Sequence, residues 1–324
     1  MTLHYFDQIT AIKKNAALLL SGSEDRNINQ ALFKSNVEII NLELSSGCNR
    51  KCDYCPVKAS SRSINNFLMD ESLFLQIVKE LALIRYENRI SLNLYNEPLL
   101  DKTLSEKVAL IKRRLPYCHV SFNSNGDKLD RAVLSELSDA GLDYICVTLH
   151  PPPGECEDRV TVSRRVANLF RRLGVTKQPD YQFSKGELEF RVQGVRIKIQ
   201  WPNWREEGTD RGGTLKTHQG AVETRVAPCQ KPFREFTIFY DGSVQPCCEA
   251  FHDEKTNLAE MGSLSEGHTI FDIYAGESLS KFRRGVFVFG EKEGICKTCS
   301  SSDFSKFEDD QRSRMKLIKG LNLE

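Results

Sequence analysis

A strand-like apolar run followed by a stretch of helical periodicity recurs along the first two-thirds of this chain, and that alternation limits the fold more than any other feature. The strand-like runs are Val37–Leu44, Arg89–Tyr95, Cys118–Gly126 (ending in a turn), Asp143–His150 and Gly194–Trp201. Helices are expected over Asp70–Tyr86, 102–114, 129–140 and Val160–Leu173, with Asp70 as an N-cap and Gly141 just past a helix end. Strands separated by helices pair in parallel, each helix crossing over a face of the sheet. Five or six such units in about 175 residues are too few to close an eight-stranded barrel. The reading is therefore an α/β fold, a partial (β/α)6 TIM-like barrel. Ahead of it, residues 1–36 read as a helical leader. Ile9, Ile12, Ala16, Leu19 and Leu20 lie near one face, and Ser21-Gly22-Ser23 breaks the helix.

Cys48, Cys52 and Cys55 are spaced C-x3-C-x2-C on the loop that leaves the first strand. In an α/β barrel such loops open onto the ligand-binding face. Structural zinc wants four protein ligands. Three thiols on one loop, with no histidine near, instead suit a [4Fe–4S] cluster whose fourth iron is left to a non-protein ligand. A zinc knuckle or three buried cysteines is the plainer alternative. Eleven cysteines in a chain with no signal-peptide pattern favour metal sites over disulfides, and a cytoplasmic protein. No run approaches the ~18 apolar residues of a membrane span. With 45 basic and 44 acidic residues, the chain does not read as a nucleic-acid or membrane-surface binder. The pairs Arg113-Arg114, Arg164-Arg165 and Arg171-Arg172 read as solvated helix faces.

The composition turns polar and glycine-rich at Arg205–Gly213, which marks a boundary: barrel 37–215, a second domain 216–310, a charged tail 311–324. Within the second domain Cys229, Cys247, Cys296 and Cys299 run C-x17-C, then C-x2-C. A hairpin around Asp241-Gly242 brings the first two together. Four cysteines hold zinc or a further [4Fe–4S] cluster. Cys248 is spare by count, although it and Cys247 could exchange roles. Cys118 and Cys146 fall in strands, and Cys156 falls on a rim loop after Pro151-Pro152-Pro153-Gly154.

With Tyr54 ahead of the third cysteine, the loop resembles the CxxxCxΦC signature of the radical S-adenosylmethionine (SAM) superfamily. Asn96-Glu97-Pro98 resembles its G-G-E-P loop, with Tyr95 and Asn96 where glycines are usual, and Ser124-Asn125-Gly126 resembles its S/T-N-G turn. The later cysteines resemble the twitch domain, a shortened SPASM domain built on a hairpin and a helix. The resemblance, covering about 37–300, implies two [4Fe–4S] clusters. One, on Cys48, Cys52 and Cys55, binds SAM; the auxiliary one sits on Cys229, Cys247, Cys296 and Cys299. It implies SAM contacts from Tyr54, Asn96, Glu97, Pro98, Ser124 and Asn125, with Thr148 and His150 touching SAM ribose or substrate. It also implies a 5′-deoxyadenosyl radical that takes a hydrogen atom from a polar small-molecule substrate, of sugar or aminocyclitol type. A one-electron reductant such as flavodoxin or ferredoxin is the expected partner. The expected outcome is epimerisation, with the Cys248 thiol returning a hydrogen atom. The alternatives are a dehydrogenase using the auxiliary cluster as electron acceptor, a peptide-modifying enzyme, or a non-catalytic iron–sulfur or zinc protein. Glu43, Arg196, Lys198 and Asn203 are strand-end candidates for holding hydroxyl groups.

Overall fold

The structure, a computed structural model, describes residues 14–322 apart from residue 64 and the segments 151–157, 177–185, 204–208, 216–223, 254–255, 258 and 301–307. Ile9, Ile12, Cys156 and the Pro151–Gly154 loop lie outside the described residues. A helical stretch, 14–21, is followed by α1 (Arg26–Asn36), whose first turn is capped by Asp25 Oδ1 accepting from Asn27 N and Ile28 N. Gly22, with φ +82°, makes the break between them.

The alternating segment then folds in order: β1 (Ile39–Leu42), α2 (Glu71–Leu83), β2 (Arg89–Ser91), α3 (Leu104–Arg114), β3 (His119–Ser124), α4 (Arg131–Asp139), β4 (Tyr144–Thr148), α5 (Arg159–Leu173), β5 (Glu187–Val192) and β6 (Val195–Gln200). Beyond it come α6 (Lys231–Arg234), β7 (Glu235–Ile238), β8 (Ser243–Gln245), β9 (His252–Asp253), β10 (Thr256–Asn257), β11 (Gly262–Ser263), α7 (Ile270–Ala275), α8 (Glu277–Phe287) and α9 (Glu308–Gly320). Nine strands form one open sheet in the order β11-β8-β7-β1-β2-β3-β4-β6-β5, parallel from β7 through β6. This is the expected unclosed barrel, with all the ligand-side loops at one end.

Three features differ from the sequence reading. β5 was not anticipated; it pairs antiparallel with β6 through Gln193 and Gly194, at φ +50° and +83°. Two left-handed residues are what a tight hairpin turn requires. The hairpin β7–β8 continues the barrel sheet, β7 lying parallel to β1. β2 stops at Ser91 because the Asn93 side chain takes over the ladder, its Oδ1 accepting from Asn123 N at 2.7 Å.

Aromatic packing seals the outer layer. The Phe33 ring of α1 meets Tyr86, Phe236, Phe271 and Tyr274 edge-on, with centroids 5.2–6.2 Å apart. One leader helix thereby joins the barrel to the later elements. The charged tail is not inert, since Arg314 of α9 donates to the Phe287 carbonyl at 2.8 Å and Ile318 is buried. Among the described residues no helix is long and apolar enough to cross a membrane.

Candidate active site

The cysteine loop is fastened before its first cysteine. Ser46 exchanges bonds with Phe67: Ser46 N donates to the Phe67 carbonyl at 2.8 Å, and Phe67 N donates to Ser46 Oγ at 2.9 Å. Gly47 has no room for a side chain, because a Cβ there would stand 2.5 Å from Asn66 Oδ1, the atom that accepts the Gly47 N–H. The Gly47 carbonyl accepts from Glu97 N at 2.9 Å. Glu97, 2% exposed, in turn accepts from Ser124 Oγ and Asn125 N, both at 2.7 Å. Burial raises its pKa, though these bonds oppose the shift. Asn125 Nδ2 donates to Asn49 Oδ1 at 2.8 Å, and Arg50 grips Asp127 through two bonds of 2.8 and 2.5 Å. The loops after β1, β2 and β3 thus form one interlocked rim. Tyr54 adds the loop after β4: its hydroxyl meets His150 Nδ1 at 2.5 Å, with the rings stacked. Burial pulls the His150 pKa down to about 4, which favours the neutral ring beside the phenol.

A cleft of about 290 Å³ opens inside this rim. Cys48, Cys52, Cys55, Tyr54, Asn96, Glu97, Ser124, Asn125, Thr148 and His150 all line it. Pro98 is the exception. It stands behind the rim and starts the short 3-10 turn Pro98–Leu100, which Glu97 caps by accepting from Leu99 N. Asn41, Ser91, Asn93, Asn123 and Gln200, all uncharged amides or hydroxyls, add to the lining, and Arg50 and Arg211 are the cations in it. The four strand-end candidates do not line the cleft. Glu43 is turned onto Arg62, Arg196 lies 4.6 Å over the Tyr144 ring, Lys198 pairs with Glu187, and Asn203 is exposed. Burial lifts the Cys48 thiol to about 11 and also raises Cys52 and Cys55. Thiols bind metal as thiolates, so loading this loop releases protons.

Cys229, Cys247, Cys296 and Cys299 line a second, more enclosed cavity, with Gly212 in its wall. Three segments are stitched together there: Cys229 N donates to the Val286 carbonyl at 2.8 Å, and Arg225 N to the Lys297 carbonyl at 2.8 Å. Gly212 sits at φ +70°, and a Cβ on it would reach within 3.2 Å of Ile295 Cβ. Arg211, itself left-handed at φ +51°, lines the first cleft instead. The stretch that marks the domain boundary therefore has adjacent residues lining the two cavities.

Cys247 and Cys248 part in the same way, Cys247 lining the enclosed cavity and Cys248 the cleft. Lys231 Nζ donates to Cys248 Sγ at 3.4 Å and to Glu249 Oε1 at 3.2 Å. Glu249 Oε2 accepts from Thr209 Oγ1 at 2.6 Å and from Arg211 Nη1 at 2.5 Å. Tyr95 OH donates to the Cys248 carbonyl at 3.1 Å, with the Arg211 guanidinium 5.8 Å above its ring. Burial raises Glu249, but the Arg211 and Lys231 cations outweigh it and bring the carboxyl to about 2. Burial pushes the Cys248 thiol up. Sequence reasoning missed Lys231, Glu249 and the Arg211 side chain. Their one sequence signal was proximity to Cys229, Cys247 and the glycine pair.

The radical SAM superfamily profile matches residues 42–174, and an iron–sulfur cluster-binding domain of the SPASM type matches residues 229–300. The chain therefore carries a radical SAM domain followed by a SPASM-type domain. A curated relative, S-adenosyl-L-methionine-dependent 2-deoxy-scyllo-inosamine dehydrogenase of Niallia circulans, is 26% identical over 270 residues, spanning 81% of this chain and 92% of that protein. The crystal structure of BtrN in complex with AdoMet and 2-DOIA superposes with a TM-score of 0.61 at 23% identity, covering 85% of this chain and 97% of that one. An open conformation of BtrN superposes at 0.53 and 21% identity, covering 82% and 92%. These superpositions establish the shared fold.

The cofactors of this pair of domains are SAM, a SAM-binding [4Fe–4S] cluster and an auxiliary cluster. The residues present fit them. Three thiols face one cleft beside uncharged polar groups, and four thiols from three segments face one enclosed cavity. Among the described residues no three His, Cys, Asp or Glu side chains stand close enough to share a single ion.

Proposed function

We propose that this radical SAM enzyme inverts one carbon of a polar, hydroxylated small molecule of aminocyclitol or aminosugar type, with Cys248 as the hydrogen-atom donor. The observation that carries the reading is the divergence of the two adjacent cysteines, Cys247 toward the enclosed cavity and Cys248 into the cleft that Cys48, Cys52 and Cys55 also line. The thiols of Cys48, Cys52 and Cys55 would hold the SAM-binding cluster. Cys229, Cys247, Cys296 and Cys299 would hold the auxiliary one. When bound, SAM and its cluster supply hydrogen-atom abstraction from a substrate C–H bond. Cys248 then gives its sulfur-bound hydrogen atom to the opposite face of that carbon. The substrate ends redox-neutral, and the sulfur, one hydrogen atom poorer, takes an electron and a proton before the next turnover. Lys231 positions the sulfur, and Tyr95 holds the Cys248 backbone. Arg211 and Tyr95 stand at the cleft wall nearest Cys248 and would contact the substrate. The amide-and-hydroxyl lining from Asn41, Ser91, Asn93, Asn123 and Gln200 suits a ring bearing hydroxyls, because amides and hydroxyls can both donate to and accept from such groups.

The test is turnover in D2O with a panel of aminocyclitols and aminosugars that includes 2-deoxy-scyllo-inosamine. Thiol hydrogens exchange with solvent, so an epimer formed through Cys248 carries one deuterium at the inverted carbon. Cys248→Ala should still form 5′-deoxyadenosine while yielding no epimer. A second reading, oxidation of a secondary alcohol to a ketone with the auxiliary cluster as acceptor, is favoured by the dehydrogenase relative at 26% identity. Under it the product is two electrons more oxidised, incorporates no deuterium, and survives Cys248→Ala.

A further inference from the structure

Helix α5 carries Arg159, Arg164, Arg165, Arg171 and Arg172 and no carboxylate, in a chain whose formal net charge is +1. Its apolar face, Val162, Val166, Leu169, Phe170 and Leu173, is buried in the fold, which turns much of the cationic face outward. Three of these arginines converge with Arg50 around an open recess of about 380 Å³, next to the rim of the active-site cleft. Among the described residues the carboxylate lining it is Asp127, which Arg50 grips. The recess is built rather than incidental. Arg172 donates to the carbonyls of Gly126 and Asp127 at 2.7 Å, and Arg50 and Arg165 both donate to the His150 carbonyl. Arg50, Asn125 and His150 line both the recess and the cleft, so the two are adjacent. Arg50 lies in the chain between Cys48 and Cys52, and the neighbouring Lys51 is exposed.

We propose that this arginine-lined recess is the docking face of an acidic one-electron carrier protein, which delivers its electron across the loop bearing Cys48 and Cys52. The inference rests on the radical SAM reading, in which each SAM cleavage consumes an electron. One electron leaves the carrier and one is taken up by the enzyme; no atom is transferred. A patch of one charge beside the acceptor steers and orients an oppositely charged partner. An external carrier also needs a short path to the acceptor, and Arg50, between Cys48 and Cys52 in the chain, lines both the recess and the cleft.

The test uses reconstituted holoenzyme, wild type and Arg164→Glu/Arg171→Glu. Neither residue lines the cleft, and Arg164 lies outside the recess lining. Oxidised flavodoxin is titrated by calorimetry at low and high salt, and 5′-deoxyadenosine formation is driven in parallel by reduced flavodoxin or by titanium(III) citrate. The expected result is that the double reversal weakens flavodoxin binding roughly tenfold or more at low salt, that salt erases the difference, and that titanium-driven turnover holds. Equal binding by both proteins overturns the proposal. So does a fall in titanium-driven turnover equal to the fall with flavodoxin, which would make the arginines part of the fold or the cleft. Inorganic phosphate that binds at the recess while flavodoxin does not would assign it to a small anion and also overturn the proposal. Failure of all reductants to yield 5′-deoxyadenosine would count against the radical reading, yet the binding isotherms still decide the docking face.

Discussion

Replacing Arg62 with methionine should be among the most damaging single changes in this protein, although Arg62 contacts neither cavity. Its side chain and that of Glu43 are fully buried and paired with each other. Arg62 also donates to the Ser46 carbonyl at 3.3 Å and the His252 carbonyl at 3.1 Å, and its guanidinium lies 5.3–5.8 Å from the rings of Phe239, Tyr240 and Phe251. One cation thereby ties the cysteine loop, the end of β1 and the hairpin region together. Methionine fills most of the volume but leaves Glu43 with only the Tyr95 N–H on Oε1, and Oε2 already has no partner. Removing one member of a buried pair costs about 3–5 kcal/mol. At about 2.1 cal/mol/K per residue over 324 residues, that lowers Tm by roughly 4–7 °C. Anaerobic urea unfolding and thermal scans measure it, alongside iron content per chain. Glu43→Leu/Arg62→Met should recover much of the loss, because no uncompensated charge is left behind. A single variant within about 1 kcal/mol of wild type, or a double variant as poor as the two singles summed, would refute the reasoning.

Wild-type holoenzyme should hold about eight irons, falling to about four in Cys48→Ala/Cys52→Ala/Cys55→Ala and to about four in Cys229→Ala/Cys247→Ala, while Cys248→Ala keeps about eight; anaerobic iron and sulfide analysis reads this. Gly126→Ala should destabilise by more than about 1 kcal/mol in urea unfolding, since Gly126 sits at φ +72° and a Cβ would stand 2.6 Å from Val147 Cγ1. The His252–Asp241 pair, 2.8 Å apart, should show in the pH dependence of stability. Burial pulls His252 down, but its bond to Asp241 outweighs this and raises it; Asp241 comes down to about 2 against its own burial. A raised histidine stabilises fully below its unfolded pKa, near 6.5, and loses that as pH rises through the folded value; a lowered aspartate stabilises above about 3.9 and loses that as pH falls toward its folded value. The Tm gap between wild type and His252→Gln should therefore be widest between about pH 4 and 6.5 and shrink by pH 8; a constant gap would contradict the pairing.

Local chemistry was legible in the chain. Asp70 does cap α2, accepting from Ser72 N and Leu73 N, and Gly141 does follow α4 in the left-handed region. Cap, turn and strand–helix periodicity are decided within a few residues, so they survive without knowledge of what packs against them. The cysteine spacings were legible for the same reason, since three thiols on one short loop are close however the rest folds. Long-range partners decided what remained. The pairing of β7 with β1 joins residues nearly 200 apart, and nothing in either segment names the other. Arg62 reads as one more basic residue until Glu43 and three aromatic rings close around it. Cys247 and Cys248 are indistinguishable as letters; a single turn of backbone, with Lys231 and Tyr95 fixing its far side, sends one sulfur to each cavity. The sequence by itself determined which chemistry the chain can hold, because ligand type and short spacing are local. Only the tertiary structure decided which side chains share a cavity, because burial and long-range pairing, which together shift their pKa values, are properties of the assembled fold.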